Sequence, residues 1–134
     1  MIEGRIDRNL KGIEETLQRL LEDQKISLED LKNDIKSLES SFTLLSQKWN
    51  LEILYTLFLR NVVSFSELKK ILRVNSRTLS DKLKSLSSHG YVERTVKTEP
   101  PLRVEYNLTK IGRNTALLAL PLLYYSSSSI KNQS

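Results

Sequence analysis

A chain of 134 residues, 39% hydrophobic and 28% charged, has the size and apolar content of one globular domain plus an appendage, and is too small for a multidomain enzyme. Lys and Arg number 21 against 16 Asp and Glu, a net charge of +5 that suits a polyanionic partner. The absence of Cys excludes disulfides, thiolate nucleophiles and Cys-bound zinc, and a single His leaves no imidazole cluster, so the chain is expected to be no enzyme and to need no metal or cofactor.

Met1-Ile2-Glu3-Gly4-Arg5 contains a sequence identical to a protease site used to remove expression tags, so residues 1–5 read as a candidate expression remnant outside the fold. Residues 1–47 hold 7 basic and 10 acidic side chains, whereas residues 48–113 hold 13 basic and 6 acidic. The positive charge therefore belongs to the middle of the chain, as expected where one segment faces a polyanion and its neighbour does other work.

From Leu10 the apolar positions run Leu10, Ile13, Leu17, Leu20, then Leu28, Leu31, Ile35, Leu38, Phe42 and Leu45, alternating three and four apart. One extra residue near Gln24 makes this two heptad-like blocks joined by a stutter. Ser27-Leu28-Glu29-Asp30 also resembles a helix start, so a break between Lys25 and Ser27 is the alternative. An apolar stripe on a polar helix must be covered. Either residues 6–45 form a coiled-coil dimerisation segment, or the helix folds back on its own domain; the length of the segment favours the coiled coil, with Leu28, Leu31, Ile35 and Leu38 in the seam.

Residues 46–60 predict a core helix with Trp49, Ile53, Leu54, Leu57 and Phe58 inward; Trp49 reads as core rather than as a platform for a base. Ser64-Phe65-Ser66-Glu67 offers an N-cap with a Glu three residues on, opening a short helix that buries Leu68, Ile71 and Leu72. Asn75 or Ser76 caps another, with Leu79, Leu83 and Leu86 inward and His89-Gly90 ending it in a left-handed C-cap. Two short helices joined by Arg73-Val74-Asn75 make a helix-turn-helix.

From Tyr91 the period changes to two. Val92, Arg94 and Val96 alternate with polar residues, as do Val104, Tyr106 and Leu108, with Thr98-Glu99-Pro100-Pro101-Leu102 between the two strands. A hairpin directly after a helix-turn-helix is a wing. Residues 114–125 continue a helix whose Leu117, Leu118, Leu120, Leu122 and Leu123 need a covering surface, which makes Leu117 and Leu118 further dimer contacts; residues 126–134 form a polar tail. The run from Ala116 to Tyr125 is too short to span a bilayer and no signal peptide is visible, so a cytoplasmic location without a membrane partner is expected. The fold class is mainly α with a small antiparallel β-hairpin wing: a winged helix-turn-helix domain at 46–113 between a long N-terminal helix and a C-terminal helix.

Three stretches resemble the HxlR-type branch of the MarR-like winged helix-turn-helix regulators. Lys48-Trp49-Asn50-Leu51-Glu52-Ile53-Leu54 is similar to the family's G-K-W-x-x-x-I-L. Phe65-Ser66-Glu67-Leu68, Leu79-Ser80-x-x-Leu83-x-x-Leu86 and Gly90-Tyr91-Val92-Glu93-Arg94 are similar to its F-S-E-L, L-S-x-x-L-x-x-L and G-L-V-x-R. Residues 101–112, Pro-Leu-Arg-Val-Glu-Tyr-Asn-Leu-Thr-Lys-Ile-Gly, are similar to its wing, P-x-x-V-E-Y-x-L-T-x-x-G. The resemblance implies a transcription regulator that binds double-stranded DNA. Gln47 stands where the family has Gly, and the Cys-Pro that often precedes it is absent, so members that sense oxidants or electrophiles through that Cys are poor guides here.

With Leu79, Leu83 and Leu86 inward, about 100° per residue turns Arg77, Thr78, Asp81, Lys84 and Ser85 outward to read base edges, and Ser76 adds a contact from the start of the same recognition helix. Arg77 and Asp81, at i and i+4, could instead pair with one another. Lys69, Lys70, Lys82 and Lys97, with the hydroxyls of Ser64 and Ser66, are expected to meet phosphates. Arg103 is placed to enter a narrow minor groove, or to pair with Glu105 or Glu99. The function expected is that of a sequence-specific homodimeric regulator. The alternatives are an architectural nucleoid protein that coats DNA, and a winged-helix adaptor that binds mainly protein.

Overall fold

Periodicity and capping residues account for most elements of the computed structural model, which describes residues 2–23 and 25–126. In chain order these are α1 (Ile2–Glu22), α2 (Leu28–Ser46), α3 (Asn50–Arg60), β1 (Val63–Ser64), α4 (Phe65–Leu72), α5 (Ser76–Ser88), β2 (Val92–Lys97), β3 (Arg103–Leu108) and α6 (Lys110–Ser126). The chain divides into two units: Leu44–Ala119, and Met1–Thr43 with Leu120–Ser134. Apart from Ser126, the expected polar tail lies outside the described residues, as does Gln24.

The unit Leu44–Ala119 is built around Ile53, Leu54 and Leu57 of α3, Leu68 of α4, and Leu79, Leu83 and Leu86 of α5, all at most 1% exposed. Burying a leucine-sized side chain contributes about 1.5–3 kcal/mol, so this cluster is the main source of the unit's stability. Ile71, read as inward, is 40% exposed; Val74 in the following turn is buried instead. The sheet has strand order β1-β3-β2 and is antiparallel throughout. β2 and β3 pair from Val92↔Leu108 to Lys97↔Arg103, and β1 adds Val63↔Tyr106 and Ser64↔Glu105. A two-residue strand has no period to detect, which is why sequence reasoning found only the hairpin.

The core helix starts later than its spacing suggests. The backbone turns at residues 47–49, with Trp49 in the left-handed region at φ 79°, and α3 begins at Asn50. Asn50 is fully buried, its Nδ2 donates to the Leu44 carbonyl at 2.8 Å, and its N–H donates to the Gln47 carbonyl at 3.1 Å. Those bonds close the end of α2, so Trp49 packs against the core from a turn rather than from the helix.

Helix α6 leaves the sheet through a close backbone approach. The Thr109 hydroxyl donates to the Gly90 carbonyl at 2.6 Å and accepts from the Gly112 N–H at 3.0 Å, while the Thr109 N–H donates to the Tyr91 carbonyl at 3.1 Å. A Cβ on Gly112 would overlap the Tyr91 carbonyl oxygen. Further along, the Tyr55 hydroxyl of α3 donates to the Ala116 carbonyl at 2.8 Å.

In the second unit the sequence's two options are resolved in favour of the break. The Ser27 N–H donates to Asp30 Oδ2 at 3.3 Å and the Asp30 N–H donates to Ser27 Oγ at 3.1 Å, a reciprocal cap that starts α2 afresh. Ile13, Leu17, Leu20 and Leu21 of α1, and Leu28, Ile35, Leu38 and Phe42 of α2, are exposed; Leu31 is half-buried. Leu120, Leu122, Leu123 and Tyr125 of α6 are exposed as well, while Ile6 and Tyr124 are buried. Among the described residues no helix is long and apolar enough to cross a membrane.

Candidate nucleic-acid interface

Ser64 ends β1 in an extended conformation and caps α4: its Oγ accepts from the Glu67 N–H at 3.2 Å and its hydroxyl donates to Glu67 Oε1 at 3.0 Å. With Leu68 inward, Ser66, Lys69 and Lys70 are exposed. Arg73 closes α4 in the left-handed region at φ 55°, donating its N–H to the Lys69 carbonyl. Two residues later Asn75 Oδ1 accepts from the Thr78 N–H at 2.8 Å, opening α5. These local bonds close the turn between the two helices and help to set the angle between them.

Leu79, Leu83 and Leu86 lock one face of α5 into the core, and Ser76, Arg77, Asp81 and Lys84 lie exposed. Among the described residues Arg77 and Asp81 are not in an ion pair with one another. Thr78 and Ser85 are half-buried on one flank of the helix. On the same side Lys82 is half-buried, with its Nζ donating to Gln47 Oε1 at 3.4 Å. The far end is closed by His89, whose Nδ1 bonds to the Ser85 carbonyl at 2.8 Å and so carries the hydrogen, and by Gly90 at φ 84°. Among the described residues no cluster of His, Cys, Asp or Glu could hold a metal.

On the other flank α5 faces the hairpin. A hollow of about 340 Å³ between them is lined by Ser80, Leu83, Lys84, Ser87, Arg94 and Tyr106. A second, of about 440 Å³, reaches from Ser80 and Arg94 to Ser64 and Ser66 at the head of α4 and to Arg103. Lys97 and Arg103 form the last rung of the hairpin, with Pro100, Pro101 and Leu102 exposed in the loop beyond. Arg103 Nε donates to Glu105 Oε2 at 3.0 Å, so of its two candidate acidic partners it takes Glu105. Sequence reasoning passed over Ser80 and Arg94. The signal was present: Arg94 stands in the row of valines, between Val92 and Val96, where an arginine has no reason to face a core.

Residues 44–133 match a family described as HxlR-like helix-turn-helix. The chain is 34% identical over 77 residues to YdzF of Bacillus subtilis, an HTH-type transcriptional regulator, across 57% of this chain and 71% of that protein. Among solved structures, the reduced form of the transcriptional regulator YodB from B. subtilis is similar at TM-score 0.63 and 28% identity, covering 67% of this chain and 88% of its own. A transcriptional regulator of the MarR family from Enterococcus faecalis is similar at TM-score 0.62 and 28% identity, covering 73% and 88%.

Proposed function

Since the chain belongs to the HxlR-like helix-turn-helix family, we propose that it is a cytoplasmic transcription regulator that binds specific double-stranded DNA sequences as a homodimer. The observation that carries this reading is the division of α5: three leucines at most 1% exposed on one face, and Arg77, Asp81 and Lys84 exposed on the other. A helix of that kind, held by a tight turn and followed by a hairpin, is suited to a major groove, where arginine can bond guanine and a carboxylate can accept from cytosine. Ser76, Arg77, Thr78, Asp81, Lys84 and Ser85 are the proposed base-reading set. Ser64, Ser66, Lys69, Lys70, Lys82 and Lys97 are proposed for phosphates, and Arg103 for the minor groove. The excess of 13 basic over 6 acidic residues across 48–113 supports the same assignment.

The homodimer is supported by what stays exposed. Leu28, Ile35 and Leu38 of α2 are each at least 44% exposed and with Leu31 give one set of proposed dimer contacts; Leu117 and Leu118 of α6, also at least 44% exposed, give a separate set. Two copies about a two-fold axis would engage two half-sites, multiplying the modest affinity of one module. The test is selection of duplexes from a random pool, followed by salt titration of the selected and a scrambled duplex. A regulator holds a large affinity ratio between the two. A steep salt slope without that ratio would mean DNA coating, and absence of both would mean a protein adaptor.

A further inference from the structure

Major and minor grooves on one side of a duplex are separated by a single sugar-phosphate strand. A protein with a helix in one groove and a hairpin in the next must straddle that strand, and whatever lies between helix and hairpin faces its phosphates. Here that gap is the 340 Å³ hollow lined by Ser80, Lys84, Ser87 and Arg94. It holds two cationic side chains and no carboxylate. Arg94 is exposed, and its guanidinium makes no hydrogen bond or ion pair among the described residues. The Ser87 hydroxyl that lines the same hollow has no hydrogen-bond partner there either. Arg94 also lines the adjoining hollow with Ser64, Ser66 and Arg103, so it stands where the recognition helix, the head of α4 and the hairpin meet.

We propose that Arg94 and Lys84 seat one backbone phosphate of the straddled strand, between the recognition helix and the wing. This rests on the DNA-binding reading and moves Lys84 from base contact to backbone contact. Lys84 lies on the same flank of α5 as Ser80, about 40° apart on the helical wheel, which turns it toward the hairpin. The planar fork of Arg94 suits two phosphate oxygens at once.

The test compares wild type, Arg94→Gln and Arg94→Lys on the selected duplex by fluorescence anisotropy between 50 and 200 mM salt. One phosphate contact carries a slope of about 0.9, so the affinity ratio of wild type to Arg94→Gln should shrink about 3.5-fold over that range. The ranking of base-substituted duplexes should not change. Arg94→Lys, which keeps the charge, should keep the slope. Replacing phosphates one at a time by neutral methylphosphonate should reveal one position that weakens wild type more than it weakens Arg94→Gln, in which Lys84 still faces that phosphate. If Arg94→Gln binds like wild type at every salt while Arg77→Ala still loses base preference, the seat is wrong and the DNA-binding reading stands. Loss of slope in Arg94→Lys equal to that in Arg94→Gln would also overturn the seat. A wild type with neither sequence preference nor salt slope removes the DNA-binding reading and the seat with it.

Discussion

Replacing Gly112 by alanine sets two effects of opposite sign against one another. Within a helix alanine is favoured over glycine by about 1 kcal/mol, so propensity alone predicts a more stable protein. The added Cβ, however, would overlap the Tyr91 carbonyl oxygen, lie 3.0 Å from its carbon and 3.2 Å from Leu108 Cδ2. A carbonyl cannot swing aside as a side chain can, and this one accepts from the Thr109 N–H at 3.1 Å. Moving it weakens a hydrogen bond worth about 1 kcal/mol, and overpacking adds about 1–3 kcal/mol. The net expectation is destabilisation by about 1–3 kcal/mol, read as a lower urea midpoint at unchanged slope. Gly12 is the control: a Cβ there meets nothing within 4 Å, so Gly12→Ala should be neutral or stabilising by up to about 1 kcal/mol. If Gly112→Ala matched Gly12→Ala, the close approach of α6 to the Tyr91 carbonyl at the entry to β2 would be refuted.

Arg77→Ala should cost about 1–3 kcal/mol at the selected duplex and relax one base position, whereas Lys70→Ala should weaken all duplexes alike; a base-substitution series separates the two. Arg103→Ala should lose most affinity where the flanks are A·T-rich and the minor groove narrow, and equal losses on G·C-rich flanks would count against a wing contact. Placing Glu at both Leu31 and Leu38 should give a monomer by light scattering that keeps a folded wing domain; a surviving dimer would assign the seam to α6. Burial raises the Tyr55 pKa above its usual 10.0, so its contribution is complete below pH 10 and is lost as pH rises through the higher folded value. Tyr55→Phe should therefore flatten the alkaline limb of the stability curve, while losing about 1 kcal/mol at neutral pH with the bond to Ala116.

The helix-turn-helix and hairpin were legible because their signals are local. Ser64, Asn75 and Gly90 make the caps their residue types announce, and the leucines of α5 repeat at helical spacing. Where two local signals disagreed, sequence could not choose: at Ser27–Asp30 heptad spacing argued for continuity and capping for a break, and the reciprocal hydrogen bonds decide it. Trp49 misled because its spacing to Ile53 is helical, while the bonds from Asn50 that bend the chain before it leave no periodic trace. Arg94 stood out as an arginine in a row of valines, but what it faces depends on where α5 lies.

The outward face of α5 owes nothing to the fold that carries it. Its angle is held by Leu79, Leu83 and Leu86, by the Asn75 cap and by the His89-Gly90 closure, none of which involves Arg77, Asp81 or Lys84. Substitutions at such exposed positions usually change stability by less than about 0.5 kcal/mol. The scaffold can thus accept a rewritten recognition surface without being rebuilt. Descendants of one such chain could acquire different target sequences by a few single-residue steps, each intermediate remaining folded.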